Sequence, residues 1–257
     1  MLLTIDIGNT NIVLAVIQND EVLVTYRITT KLSRTSDEYG ITMLDMLSSK
    51  GINVSQIDDV IISSVVPSVM HSITNSLRKY LNKKPLIVGT GLKTGISIRT
   101  DNPKSVGVDR IVNCVAVYNL YGGPCMAIDF GTSTTYDLVN EKGEFIGGLI
   151  TAGIRITADA MGSRAAQLPY IEIKKPPSIL DCKNTISSMQ AGLIYGYIGQ
   201  VEYIVKKVKE EMNAPNLTVI ATGGLGRIIE SSTDCIDIYD EDLTHKGLQF
   251  IYKKNIN

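Results

Sequence analysis

Histidine and cysteine are scarce in this 257-residue chain: two histidines, His71 and His245, and four cysteines, Cys114, Cys125, Cys182 and Cys235. The histidines are far apart, so a histidine-based metal centre or a Ser-His-Asp triad has little to draw on. The cysteines form no CxxC pair and do not cluster, which argues against a disulfide framework or a zinc site. Cys114 and Cys125 lie in apolar stretches, where a thiol acts as a small hydrophobe. Neither sign of charge prevails, with 25 Lys plus Arg against 26 Asp plus Glu and a formal net charge of -1. A duplex-DNA binder shows a basic excess or stripe, so nucleic acid is not an expected partner. No apolar run approaches the ~18 residues of a membrane span. A charge arrives at Asp6, before the apolar core of a secretory signal could form. A reduced, cytoplasmic protein without a membrane partner is expected.

The remaining composition, 44% hydrophobic with 22 glycines and eight prolines, is that of a globular protein with a sizeable core. An internal echo organises it. Leu3 to Ile12 (LTIDIGNTNI) reads against Met126 to Thr135 (MAIDFGTSTT), placing Asp6 and Gly8 over Asp129 and Gly131 at an offset of 123. Each motif continues into an apolar run, a polar turn and another run, the pattern of an antiparallel meander. Helical periodicity covers 36–50, 67–80, 106–121 and 186–212, and short apolar strands cover 59–66, 85–88 and 217–221. Two duplicated α/β lobes are expected, 1–120 and 121–257.

Several segments invite a chemical reading beside a bland one. Asp6-Ile7-Gly8-Asn9-Thr10-Asn11 is a strand end followed by a glycine turn. It can aim backbone N–H groups at a phosphate while the carboxylate orients a magnesium ion or its waters; equally, asparagine is an ordinary turn former. The second copy favours the phosphate reading, because turn chemistry does not explain the hydroxyl run Thr132 to Thr135 after Asp129. Gly223 and Gly224 follow a strand and open a helix, suiting either a nucleotide or a plain loop. Gly107-Val108-Asp109-Arg110 starts a helix. An acid there suits the helix dipole, or deprotonates a hydroxyl while the arginine holds an anion. Gly192, Gly196 and Gly199 share a face of the longest helix. Each costs about 1 kcal/mol relative to alanine, so close packing is expected, inside the monomer or between subunits. No GxxxxGK[ST] loop occurs.

As a set, these motifs resemble the actin-like, sugar-kinase and heat-shock-chaperone ATPase superfold, a ribonuclease H-like duplication with a central nucleotide cleft. Within it the chain closely resembles the type III pantothenate kinases. The shared segments are Asp6 to Thr10, Asp101 to Arg110, Asp129 to Thr135, Gly147-Gly148 with Gly153, Ser163 to Pro169, Asn184-Thr185 with Met189, Gln190 and Gly192, and Thr222 to Leu225. The resemblance implies ATP-dependent phosphorylation of the primary hydroxyl of pantothenate, the first step of coenzyme A biosynthesis. It implies that Asp6, Ile7, Gly8, Asn9, Thr10, Asn11, Ile12 and Val13 form the first ATP loop. Thr132 would contact ATP in the second, and Gly223 and Gly224 would contact the adenosine. Asp109 would be the general base; Gly107, Val108, Asp109, Arg110 and Thr185 would bind pantothenate. Magnesium would accompany ATP, oriented through water by Asp6, and Asp129 would hold a monovalent cation, potassium or ammonium. A homodimer is implied, which gives the glycine-faced helix an interfacial candidate role. The chain departs from the family pattern at Thr100, where a tyrosine is usual, at Thr151-Ala152-Gly153 in place of Ala-Pro-Gly, and at Val108 in place of alanine. A slow ATPase switch and a kinase for a sugar are the rival readings.

Overall fold

The computed structural model describes residues 1–89 and 91–256. The chain forms two compact α/β units. The first comprises Met1–Ile96, Asp101–Asn119 and Asp242–Asn257; the second comprises Ser97–Thr100 and Leu120–Glu241. Relative to the expected lobes 1–120 and 121–257, residues 97–100 lie with the second unit and 242–257 with the first.

In the first unit, strands β1 (Leu2–Ile7), β2 (Asn11–Gln18) and β3 (Glu21–Thr29) form the expected meander. Helix α1 (Ser36–Ser49) starts on a capping box between Thr35 and Glu38. Strand β4 (Asp59–Ser64) leads into α2 (Pro67–Leu81), which has proline in its first turn, and then into β5 (Leu86–Ile87). The sheet order is β3-β2-β1-β4-β5, with β1 antiparallel to β2 and parallel to β4. Side chains alternate across a strand. Leu3, Ile5 and Ile7 thus enter a core with Ile62, Met43 and Ile73, while Thr4 and Asp6 share the opposite face.

Residues 97–100 supply β6 (Ser97–Ile98) to the second sheet, and the chain returns to the first unit as α3 (Val108–Tyr121). The second meander is β7 (Cys125–Phe130), β8 (Ser133–Val139) and β9 (Glu144–Ala152). It is followed by α4 (Ile154–Arg164), α5 (Thr185–Glu211), β10 (Thr218–Thr222), the short α6 (Gly226–Glu230) and β11 (Ile238–Tyr239). Its order is β11-β10-β7-β8-β9-β6. Read from the third strand of each meander, both sheets run third, second, first, parallel fourth, which is the echo of the sequence in three dimensions. Ile7 pairs with Ile12 but Phe130 with Thr134, so the second turn is one residue shorter.

The last helix, α7 (Leu243–Ile256), packs on β1 and β4. A Cβ on Gly247 would stand 2.2 Å from the Val112 carbonyl oxygen, so glycine alone admits this approach of α7 to α3. Its packing on β1 and β4 puts the chain end in the first unit.

Candidate active site

The site residues expected from sequence fall into two groups, one inside each unit. In the first, Asp6 is the next-to-last residue of β1, with Ile7 and Ile12 closing the ladder and Val13 opposite Asp6. Gly8, Asn9 and Thr10 make the turn, closed by the Gly8 N–H donating to the Asn11 carbonyl at 2.9 Å. Thr30 braces it from β3's end: its hydroxyl donates to the Gly8 carbonyl at 2.7 Å, and its N–H to the Thr10 carbonyl at 2.9 Å. Asn9 and Thr10 are exposed, leaving their side chains accessible to a ligand.

Asp6 accepts a hydrogen bond from the Ser63 hydroxyl at 2.5 Å. Although the carboxyl keeps some surface, surrounding protein strips it of water and pushes its pKa up to about 6, with Ser63 opposing the rise and the Asp109 charge adding to it. Asp109, in the first turn of α3, is fixed by the Arg110 backbone N–H, which donates to Oδ1 at 2.9 Å. A Cβ on Gly107 would fall 2.5 Å from that same oxygen; the glycine leaves room for this carboxylate rotamer. Val108 and Arg110 flank it, both half-buried. The Asp109 charge thus acts on Asp6 from within the same unit.

In the second unit, Asp129 is the next-to-last residue of β7, beside Thr222 of β10 and Thr135 of β8. The turn Gly131–Ser133 exposes Thr132. Gly153, the residue before α4, donates its N–H to the Thr132 carbonyl at 3.1 Å. A Cβ on Gly153 would lie 2.3 Å from the Thr132 oxygen and 2.5 Å from the Gly131 oxygen, so two carbonyls crowd this glycine. Gly223, at φ +96°, would likewise drive a Cβ into the Phe130 backbone at 2.7 Å. Its carbonyl accepts from the Tyr239 hydroxyl at 2.5 Å, and Gly224 beside it is exposed. Thr185, exposed, is the first residue of α5 and lines a surface concavity with Gln167, Leu168, Pro169, Asn184 and Ile186.

Among the described residues, no group of three or more His, Cys, Asp or Glu side chains is arranged to hold a metal. A magnesium ion that keeps most of its waters and shares phosphate oxygens needs no such group. The donors present fit that demand. Asp6 is an acid whose ionised form burial disfavours despite the Ser63 bond, and Asp129 neighbours a turn rich in carbonyls. Sequence reasoning missed Ser63, Tyr239 and the carbonyl crowding at Gly153. Ser63-Ser64 at the end of an otherwise apolar strand was the readable signal; the other two depend on register.

The glycine face of α5 requires a correction. A Cβ at Gly192, Gly196 or Gly199 would meet nothing within 4 Å, and all three are exposed. Packing inside the monomer does not demand them.

Solved structures of similar form define the class. The chain superposes on a protein provisionally described as a 2-dehydro-3-deoxygalactonokinase from Sinorhizobium meliloti with TM-score 0.61 and 12% identity, covering 98% of each chain. It superposes on the ROK hexokinase of Thermus thermophilus with TM-score 0.52 and 10% identity, covering 97% of each. At such identity these show the fold alone: the two-lobed α/β fold of sugar kinases and actin-like ATPases. Sequence comparison goes further. The type III pantothenate kinase family model matches residues 2–207. A type III pantothenate kinase of Agathobacter rectalis is 55% identical over 254 residues, covering 99% of this chain and 97% of its own length. The chain belongs to the type III pantothenate kinase family.

Proposed function

We propose that this protein transfers the γ-phosphoryl group of ATP to the primary hydroxyl of pantothenate, producing 4'-phosphopantothenate at the start of coenzyme A biosynthesis. The observation that carries the reading is the held carboxylate of Asp109. Its Oδ1 is fixed by the Arg110 N–H beside a glycine that leaves it room, in the electrostatic neighbourhood of the strand-end acid Asp6.

Phosphoryl transfer asks a protein for positioning and charge compensation more than for covalent chemistry. Residues 6–13 would hold phosphate through the turn's N–H groups and the side chains of Asn9, Thr10 and Asn11, and Thr132 would add a second contact. Gly223 and Gly224 would let the adenosine approach the backbone. Asp109 would take the hydroxyl proton of pantothenate as its oxygen attacks phosphorus, with Gly107, Val108, Arg110 and Thr185 fixing the acceptor. Magnesium, when bound, would supply charge compensation for the triphosphate, and Asp6 would orient its waters. Asp129 with neighbouring carbonyls would hold potassium or ammonium, whose larger radius tolerates an irregular oxygen cage. A homodimer joined partly through the open glycine face of α5 would explain why three helix-weakening residues stand where the monomer has no use for them.

Asp109→Asn tests the base. The change keeps the side chain's shape and leaves folding intact, while turnover with ATP and pantothenate should drop roughly 10²- to 10⁴-fold. Steady-state rates within twofold of the unaltered enzyme would remove Asp109 from this role.

A further inference from the structure

Behind the second loop lies a buried tyrosine that the proposed reaction does not itself use. Tyr197 projects from the inner face of α5 and is 6% exposed. Its hydroxyl donates to the Ala152 carbonyl at the end of β9. That commits its only proton, so the 2.8 Å contact with Thr134 Oγ1 at the start of β8 has the threonine as donor. Ala152 pairs with Ser133, the neighbour of Thr134, where the two strands meet the turn.

These bonds converge on one peptide group. The Ala152 oxygen is held by Tyr197, and the next atom along, the Gly153 N–H, is held by the Thr132 carbonyl. The Ala152–Gly153 plane is thus pinned at both polar ends, and Thr132 is pinned through it. Gly153 has no Cβ because the Gly131 and Thr132 oxygens occupy that space, so the turn has little room to settle differently. A buried hydroxyl that lost these partners would leave polar atoms unsatisfied, which favours the clamped arrangement over a loose one.

We propose that Tyr197 is a positioning residue for the second phosphate loop, fixing the Thr132 backbone through the Ala152–Gly153 peptide. The proposal rests on the reading of Thr132 as an ATP contact and adds to it the side chain that sets that contact's geometry. It assigns Tyr197 no contact with nucleotide or pantothenate.

Three variants separate the clamp from general core damage. Tyr197→Phe keeps the ring and removes the hydroxyl; Thr134→Val breaks the same network from the strand side. Tyr195→Phe removes another α5 hydroxyl, one that donates to the Pro176 carbonyl at 3.4 Å rather than to the clamp, and serves as the control. Hydrogen–deuterium exchange on the full chain reads the clamp directly, at the Gly153 amide and the 131–134 turn. Calorimetric ATP binding and steady-state kinetics read its consequence. Both clamp variants should exchange faster there than the unaltered chain and the control. Their Kd and KM for ATP should rise roughly three- to tenfold, as for one lost hydrogen bond, with the KM for pantothenate unchanged. Unaltered exchange in Tyr197→Phe, or equal acceleration in Tyr195→Phe, would overturn the proposal. So would faster exchange with unchanged ATP affinity. If the unaltered protein binds ATP but does not phosphorylate pantothenate, the functional reading fails, while the exchange and binding results still decide the clamp.

Discussion

Two buried ionisable side chains of the first unit, Asp6 and His245, respond to pH in opposite directions. His245 on α7 meets the Thr4 hydroxyl at 2.8 Å, and burial, aided by the Arg27 charge, lowers its pKa to about 4. Between about pH 6.5 and 4 the unfolded chain protonates this histidine and the native one does not, so acidification withdraws stability. Asp6 does the reverse. Its native carboxyl takes up a proton near pH 6, while the unfolded one remains ionised down to about pH 4, so acidification across that window adds stability. Asp6→Asn removes only the second effect. In the ligand-free protein the variant should be more stable than the unaltered chain by about 1 to 2 kcal/mol at pH 7.5, and this advantage should shrink towards zero by pH 4. Denaturant titrations at each pH give the difference directly, with other carboxyls cancelling. A difference that does not change with pH would contradict the burial of the Asp6 charge.

The strand–turn–strand elements carry the candidate site, and the turn after β7 is the more tightly specified of the two. Gly153→Ala would set a methyl group against two backbone carbonyls at 2.3 and 2.5 Å, and backbone cannot swing aside as a long side chain can. The turn must move, and a cation held by Asp129 and its carbonyl neighbours should be released. The unaltered enzyme should work faster when potassium replaces sodium at constant ionic strength; Gly153→Ala should lose that response and bind ATP more weakly. Equal rates in sodium and potassium for the unaltered protein would remove the cation from the account. Much of this element was legible in sequence, because the Asp-x-Gly motif and alternating runs dictate both the meander and the carboxylate at its end. The Ser63 bond to Asp6 and the Tyr197 clamp were not, since they join residues 57 and 45 positions apart in sequence. Periodicity says which face a residue occupies, not what it meets there.

Over the whole molecule, the duplication was readable but the ownership of the chain end was not. Nothing in Asp242–Asn257 marks it as part of the first unit; its place follows from an apolar helix face, Leu243, Leu248 and Ile251, and from the missing side chain at Gly247. A Cβ there 2.2 Å from a backbone oxygen has no cheap escape. Gly247→Ala should cost about 2 to 4 kcal/mol of stability in equilibrium unfolding, far more than alanine's helix propensity returns. A variant as stable as the original would mean that α7 docks differently.

The central claim is that Asp109 and the two strand-end loops serve transfer from ATP to pantothenate, and the acceptor dependence of ATP consumption tests it most directly. Purified protein with magnesium, potassium and ATP should consume nucleotide slowly alone, many times faster with pantothenate, and no faster with glucose or other sugars. The pantothenate-dependent product should be phosphorylated in equal amount to the ADP formed. Hydrolysis indifferent to pantothenate would indicate an ATPase switch, and stimulation by sugars alone a sugar kinase; either result would contradict the account.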